Sequence, residues 1–254
     1  ATGDYVGVLD GDDALVPDAL SAMVAFMQAH PQLGMAYSRY VEIDEDGHDL
    51  GSGGRFRTPY SPQQLLLEFM TYHFRLVRTE AYRALGGFDP VMDVSADYDF
   101  CLRLSERYPV DHLPLPLYRY RIRRDSVSQG HRLRQVRTSF EAAQRALHRR
   151  GLATQYALSL GLRARHVLRR KAGDGTGPAD AADAGECLRL APPFDPARAA
   201  PVGDWAQQVE AHYRAFVAEA QRRGLDARYD CALEIDSWHV LLPLRPFGGA
   251  GHWR

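Results

Sequence analysis

Residues 5–17 read Tyr5-Val6-Gly7-Val8-Leu9-Asp10-Gly11-Asp12-Asp13-Ala14-Leu15-Val16-Pro17. The run from Tyr5 to Leu9 is short and apolar, as a buried strand is, and it stops abruptly in three carboxylates. Pro17 has the fixed φ that suits the first position of a helix. Leu20, Met23, Val24 and Met27 then recur at helical spacing and give one apolar face, until His30-Pro31 ends it. A strand that turns through acids into a helix is the opening of an α/β layer.

Three carboxylates within four residues at the C-terminal end of a strand suit a hard divalent cation, which takes oxygen ligands and keeps one side open for substrate phosphate. That end of the strands is also where ligands gather in open α/β sheets. An Asp-Gly turn with solvated acids ahead of a helix N-terminus accounts for the same residues. An EF-hand does not, because Ala14 and Leu15 stand where its loop needs an oxygen donor and a glycine. A Gly-Asp-Asp hairpin of the polymerase type calls for a strand after the turn, whereas Pro17 and the helical period call for a helix.

Further along, Met35 to Ile43 is strand-like, and Asp44-Glu45-Asp46-Gly47 supplies the chemistry of a hairpin turn. Gly51 to Pro59 reads as a loop, Leu65 to Met70 as a helix and Tyr72 to Val77 as a buried strand. Thr79-Glu80 opens a short helix that Gly86-Gly87 terminates. After a loop from Phe88 to Val94, a helix is expected from Ser95 to Tyr108. Val110 to Tyr120 is extended and carries Pro114 and Pro116, which predicts an edge strand. Two helices are expected over 132–150 and 152–171, then a linker rich in Gly, Ala, Pro and Asp over 172–203. A last helix over 204–223 precedes two short strand-like runs around Ala232 and Val240.

The chain has 254 residues, 45% hydrophobic and 25% charged, which excludes a disordered or collagen-like protein. No apolar run is long enough to span a bilayer. The net charge of −1 is a cancellation. Residues 119–171 carry 14 Arg and Lys171 against Asp125 and Glu141, a formal +13, while residues 1–118 carry a formal −10. This asymmetry predicts an anionic ligand or surface near the basic segment. Basic helices could rest on an anionic membrane surface; pairing with the acidic first part of the chain is the simpler account. No nucleic-acid motif accompanies the charge, so nucleic acid is not an expected partner. The single lysine, Lys171, argues against Schiff-base or P-loop chemistry. Cys101, Cys187 and Cys231 are too far apart for a C-x-x-C motif, and Ala1-Thr2-Gly3 holds no basic leader. Reduced thiols in a cytoplasmic setting are expected.

A second acidic site lies in Ser95-Ala96-Asp97-Tyr98-Asp99-Phe100-Cys101-Leu102-Arg103-Leu104. A carboxylate at this helix start can serve as a general base or as a cap and dipole partner. The order of motifs is informative: apolar strand, Leu-Asp-Gly-Asp-Asp, Pro-Asp-Ala-Leu helix, Asp-Gly hairpin, then "LVRTEAYRALGGFDP" and "ADYDFCLRL". This series resembles the family-2 glycosyltransferases of the GT-A fold, over residues 3–130. The resemblance implies an α/β fold, a partial GT-A sheet sandwiched by helices and followed by a helical C-terminal extension. The expected organisation is a core over 1–130, a basic helical segment over 131–171, the linker over 172–203, and a C-terminal helix plus short strands over 204–254.

The resemblance also implies roles. Asp10 and Asp12, with Asp13 in support, correspond to the Asp-x-Asp motif that binds Mn²⁺ or Mg²⁺ and the diphosphate of a nucleotide-sugar donor. Asp97 corresponds to the catalytic base, with Ala96 where the family's first acid of the pair stands. Tyr120-Arg121-Ile122-Arg123-Arg124-Asp125-Ser126 stands where the family often has Tyr-Arg-x-His-x-x-Ser. Arg123 takes the histidine position and cannot ligate a metal, but it and Arg121 can hold diphosphate oxygens. His131 is a substitute ligand if its loop folds back. The implied activity is metal-dependent, inverting transfer of a sugar to a hydroxyl of a glycan or lipid-linked saccharide, in polysaccharide biosynthesis. The implied setting is cytoplasmic, peripheral on the inner face of the membrane. Family members carry further strands ahead of the acidic motif that bind the donor's base and ribose, so this polypeptide alone is expected to show little activity. A non-catalytic, glycan- or protein-binding remnant of the same fold is the other reading.

Overall fold

The computed structural model of the chain describes residues 2–53, 59–122, 129–170, 202–224 and 229–244. Two compact units are present, Ala1–Ser159 with His239–Arg254, and Leu160–Trp238. The first unit is built on a mixed six-stranded sheet. β1 (Tyr5–Gly7) runs into the acidic turn, and the two-residue β2 (Ala14–Leu15) intervenes before α1 (Ala19–Ala29). β3 (Met35–Ile43) turns at Asp44–Gly47 into β4 (Asp49–Ser52), and α2 (Pro62–Leu67) leads to β5 (Arg75–Arg78). α3 (Thr79–Ala84), a 3₁₀ turn over Pro90–Ser95 and α4 (Ala96–Ser105) then cross to β6 (Val110–Arg121), which is followed by α5 (Gln129–Arg149). The strand order is β1-β5-β3-β6-β2, with β4 added on β3. β3 and β6 are parallel and the other pairs antiparallel.

Apolar pattern explains the layers. Met35, Ala36 and Tyr37 are consecutive and all buried, as a strand covered on both faces requires. Ala19, Met23 and Met27 line one face of α1 and pack into a core with Ala36, Tyr40, Phe74, Leu76 and Tyr118. A second apolar core lies among α2, α4 and α5, which contact one another and bury Leu65, Leu66, Leu102, Leu104, Phe140 and Ala143. Gly34 permits the tight approach of the α4–β6 connection to β3: a Cβ there would meet the Tyr108 Cβ at 2.4 Å. Gly86 and Gly87 end α3 at φ +73° and +70°, the left-handed conformation that a helix stop demands. The expected α/β sheet with helices, GT-A-like in form, is what the chain adopts.

Two expectations need correction. β6 is not an edge strand throughout: β3 pairs it along its length and β2 pairs it at Tyr118 and Arg119. Away from those two residues β6 is paired on one side only, by β3, so its proline stretch does lie on an edge; the register with β3 slips between Ser38 and Tyr40. The helix expected over 152–171 is instead a short 3₁₀ turn, Leu152–Thr154, and a long strand, β7 (Tyr156–Arg170). Leu158, Leu160, Leu162, Ala164 and Leu168 recur at even spacing, the period of a strand, and Gly161 disfavours a helix. α6 (Val202–Arg222) forms as expected, while the runs around Ala232 and Val240 are one strand, β8 (Tyr229–Pro243), paired with β7. The C-terminal part is therefore mixed rather than helical. Most of the expected linker, residues 172–201, lies outside the described residues. In the second unit, α6 buries Phe216 and Ala220. Among the described residues no helix is long and apolar enough to cross a membrane.

Candidate active site

The acidic loop is held from two sides. The Asp13 amide donates to the Asp10 carbonyl at 3.2 Å, which closes the turn. Asp13 Oδ2 accepts a 2.6 Å bond from the Tyr118 hydroxyl, and its Oδ1 accepts the Arg121 amide at 2.7 Å. The same Tyr118 hydroxyl accepts the Asp10 amide at 3.3 Å. Tyr118 is fully buried, and burial together with its bond to Asp13 raises its pKa, so the hydroxyl remains a donor. Asp13 thus anchors the loop to β6. Asp10 is solvent-exposed. Desolvation raises its pKa first and Asp13 second; Asp97 and Asp12 add to the effect, and Arg75 opposes it. The carboxylates of the two sequence motifs are therefore close enough to feel one another.

Asp97 stands in the first turn of α4, inside the helix rather than at its cap. Its Oδ2 accepts a 3.0 Å bond from Arg75 Nη2, and its Oδ1 accepts the Tyr98 amide at 2.8 Å. Arg75 comes from β5 and its Nη1 donates to the Thr71 carbonyl at 2.9 Å. The Arg75 side chain is 9% exposed and that of Asp97 is 36% exposed, so a buried cation presents a carboxylate to solvent. Burial works against the Arg75 charge, but Asp97, Cys101 and Asp10 outweigh it and raise its pKa. Sequence reasoning missed Arg75. Its one local signal is a charge inside the apolar run Phe74-Arg75-Leu76-Val77. Asp99, two residues on, is buried and binds Arg103 at 2.7 Å. Arg103 in turn donates to the Leu85 and Gly87 carbonyls, so this second acid holds the Gly-Gly-Phe-Asp loop.

Arg121 has a defined local task. Its Nε donates to the Asp12 carbonyl at 2.7 Å, and its Nη1 donates to the Asp44 and Glu45 carbonyls at 2.8 Å each. Arg119 binds Asp49 and the Gly47 carbonyl. These two arginines fasten the β3–β4 turn to the acidic loop. Arg123 lies outside the described residues, as does the side chain of His131. On α5, Arg145 pairs with Glu141 and Asp89 and Arg149 with Glu106; just beyond it, Arg150 pairs with Glu106 and the Pro62 carbonyl. Arg134 pairs with Asp93. Much of the positive charge of α5 is thus matched by the acidic first part of the chain.

An aromatic series adjoins the loop. His73 stacks on Tyr118 with ring centroids 4.7 Å apart and on Tyr120 at 5.7 Å, the planes inclined by 18° and 9°. Among the described residues, Asp44, Asp46 and His48 bring ligand atoms within 4.8 Å of one another, on the β3–β4 turn. The His48 amide holds the Asp44 carboxyl below the usual range.

Residues 1–86 match the family described as Glycosyl transferase family 2. The O-antigen biosynthesis protein RfbC of Myxococcus xanthus is 33% identical over 146 residues, 57% of this chain and 11% of the relative. A chondroitin synthase of Escherichia coli is 32% identical over 111 residues, 44% of this chain and 16% of the relative. A hyaluronan synthase of Pasteurella multocida is 28% identical over 152 residues, 60% and 16% respectively. The chain spans between 11% and 16% of the length of these relatives. The stretch that opens on β1 and carries the acidic loop, residues 1–86, is the part of the chain that is similar to glycosyl transferase family 2.

Proposed function

We propose that this chain takes part in inverting transfer of a sugar from a nucleotide-diphosphate donor to a hydroxyl of a glycan or lipid-linked saccharide, with Asp97 as the base. The observation that carries the reading is that Asp97, bonded to the buried Arg75, shares a field with Asp10, on which Asp13 and Asp12 also act. Asp10, whose pKa is raised first by desolvation and then by Asp13, stands in a crowded carboxylate set suited to a hard divalent cation. Asp10 and Asp12 would hold Mn²⁺ or Mg²⁺, with Asp13 adding charge and fixing the loop. Such an ion, when bound, stabilises the negative charge of a diphosphate leaving group.

The chain's own residues account for the remaining steps. Each carboxylate oxygen has two lone-pair directions. Arg75 and the Tyr98 amide take one on each oxygen of Asp97, which leaves the others for an acceptor hydroxyl. Asp97 removes the hydroxyl proton as the acceptor oxygen attacks the anomeric carbon. The bond from that carbon to the diphosphate oxygen breaks, and its electron pair leaves with the nucleoside diphosphate. Attack opposite to the departing group inverts the centre. Arg123 contributes to holding the diphosphate, and Arg121 acts by keeping the Asp12 carbonyl and the β3–β4 turn in place. The polymer-forming names of the relatives support a saccharide acceptor and a role in polysaccharide biosynthesis.

Calorimetry with UDP-, GDP- and dTDP-sugars in the presence of Mn²⁺ tests the donor side. Binding that Asp12→Ala weakens and Asp97→Asn leaves intact is the expected result. Binding indifferent to Asp10 and Asp12 would remove the donor assignment.

A further inference from the structure

We infer that the ion pair between Asp93 and Arg134 positions the proposed base Asp97, by fixing the turn from which α4 starts; the inference deepens the transfer reading above and rests on it. Among the described residues Asp93 alone of the non-glycines has a positive φ, with φ +48° and ψ −117°. Those angles lie outside the left-handed helical well that aspartate tolerates. They belong to the first central position of a type II′ turn, where glycine is the ordinary occupant. An aspartate there is strained, and such strain persists only where its surroundings hold it.

α5 does the holding. Arg134 Nε lies 2.6 Å from Asp93 Oδ2. One turn further along α5, Thr138 Oγ1 lies 2.6 Å and Ser139 Oγ 2.9 Å from Ser95 Oγ, which also donates to the Gln135 carbonyl at 3.2 Å. Met92, just ahead of Asp93, is fully buried. The chain therefore enters α4 with Met92, Asp93 and Ser95 all pinned, and Asp97 follows Ser95 by two residues. The Asp93 and Arg134 side chains keep 37% and 55% of their surface in water, and a pair so exposed adds little stability. A turn built for stability alone would carry glycine at 93. Aspartate instead accepts strain and gains an anchor on α5, and what the anchor fixes is the start of the helix that bears Asp97.

The test compares wild type with Asp93→Gly, Asp93→Ala, Asp93→Asn, Arg134→Met, and Asp93→Gly combined with Arg134→Met. The Tyr98 amide is the direct reporter: it stands in the first turn of α4, where no intrahelical carbonyl serves it, and it donates to Asp97 Oδ1. Its hydrogen exchange should quicken about tenfold in Asp93→Gly and in Arg134→Met, and no further in the double variant. In Asp93→Asn, which keeps an acceptor for Arg134, it should stay within about twofold of wild type. Sugar transfer should fall in the same order, in kcat with donor KM unchanged. Asp93→Gly should melt about 2–6 °C above Asp93→Ala, because both lose the anchor and glycine alone relieves the strain. The inference is overturned by unchanged Tyr98 exchange in Asp93→Gly, by equal quickening in Asp93→Asn, by losses that multiply in the double variant, or by Asp93→Gly melting no higher than Asp93→Ala. A full transfer rate in Asp93→Gly beside an inactive Asp97→Asn also overturns it and leaves the transfer reading standing. Exchange and melting as expected, beside wild-type transfer by Asp97→Asn, keep the clamp and remove Asp97 as the base.

Discussion

Replacing Arg75 by Met should expose how far Asp97 depends on its buried partner. The guanidinium gives Asp97 Oδ2 a 3.0 Å bond, gives the Thr71 carbonyl one of 2.9 Å, and lies 5.4 Å from the Phe69 ring centroid. Met fills a similar volume and keeps the contact with Phe69, so the substitution removes chiefly charge and donors. Breaking a fully buried pair costs about 3–5 kcal/mol. Asp97 is open enough for water to replace part of the lost partner, so the coupling should fall nearer the value of one hydrogen bond to a charged group, about 2 kcal/mol. Urea unfolding of wild type, Arg75→Met, Asp97→Ala and the double variant isolates that coupling as a cycle. Strictly additive losses, with coupling below about 0.5 kcal/mol, would refute the claim that the pair acts as a unit. Transfer gives the second readout. With Asp97 as the proposed base and Arg75 bonded to it away from substrate, Arg75→Met should lower kcat and leave donor KM unchanged. A rise in KM alone would place Arg75 in donor binding instead.

Other perturbations follow from the same contacts. Tyr118→Phe loses the bond to Asp13 and the acceptor for the Asp10 amide; urea denaturation should show a loss of about 1.5–3 kcal/mol, and donor affinity should fall with it. Asp10→Asn should stabilise the free protein at neutral pH. The folded-state pKa of Asp10 is raised, so the native state holds the proton more tightly and stability falls as pH rises from the ordinary aspartate value near 3.9 through the folded value. Thermal unfolding at pH 7 and at pH 3 should therefore show a gain in Asp10→Asn at pH 7 that disappears at pH 3; an equal gain at both would contradict the raised pKa of Asp10. Asp99→Asn leaves Arg103 short of its buried partner and should cost about 3 kcal/mol by chemical denaturation, with the Gly-Gly-Phe-Asp loop the first segment to exchange amide protons.

The parts of the fold that could be read along the chain are those whose cause is local. β3 announces itself because Met35 to Tyr37 are apolar on both faces and the Asp-Gly turn follows Ile43 at once. α3 does so because paired glycines supply the left-handed stop. The acidic loop and Asp97 were legible as two motifs, and the fold brings them into each other's field. β7 departs from the expected helix because its leucines alternate at strand spacing. The bonds of Arg75 and Arg121 within the fold could not be read from sequence, since their partners stand far away in the chain. Asp97 is 22 residues from Arg75, and the Asp44 carbonyl is 77 from Arg121. Arg121, which the resemblance places at the diphosphate, also bonds the Asp12, Asp44 and Glu45 carbonyls. The aromatic stack was equally hidden, because His73, Tyr118 and Tyr120 meet only once β5 and β6 are placed in one sheet.

The most direct measurement is sugar transfer from a labelled nucleotide-sugar donor by wild type and Asp97→Asn, with donor binding measured on the same preparations. Loss of the base should lower transfer by about 10²–10⁴-fold while donor affinity stays unchanged. Transfer by Asp97→Asn at the wild-type rate would contradict the assignment of Asp97 as the base.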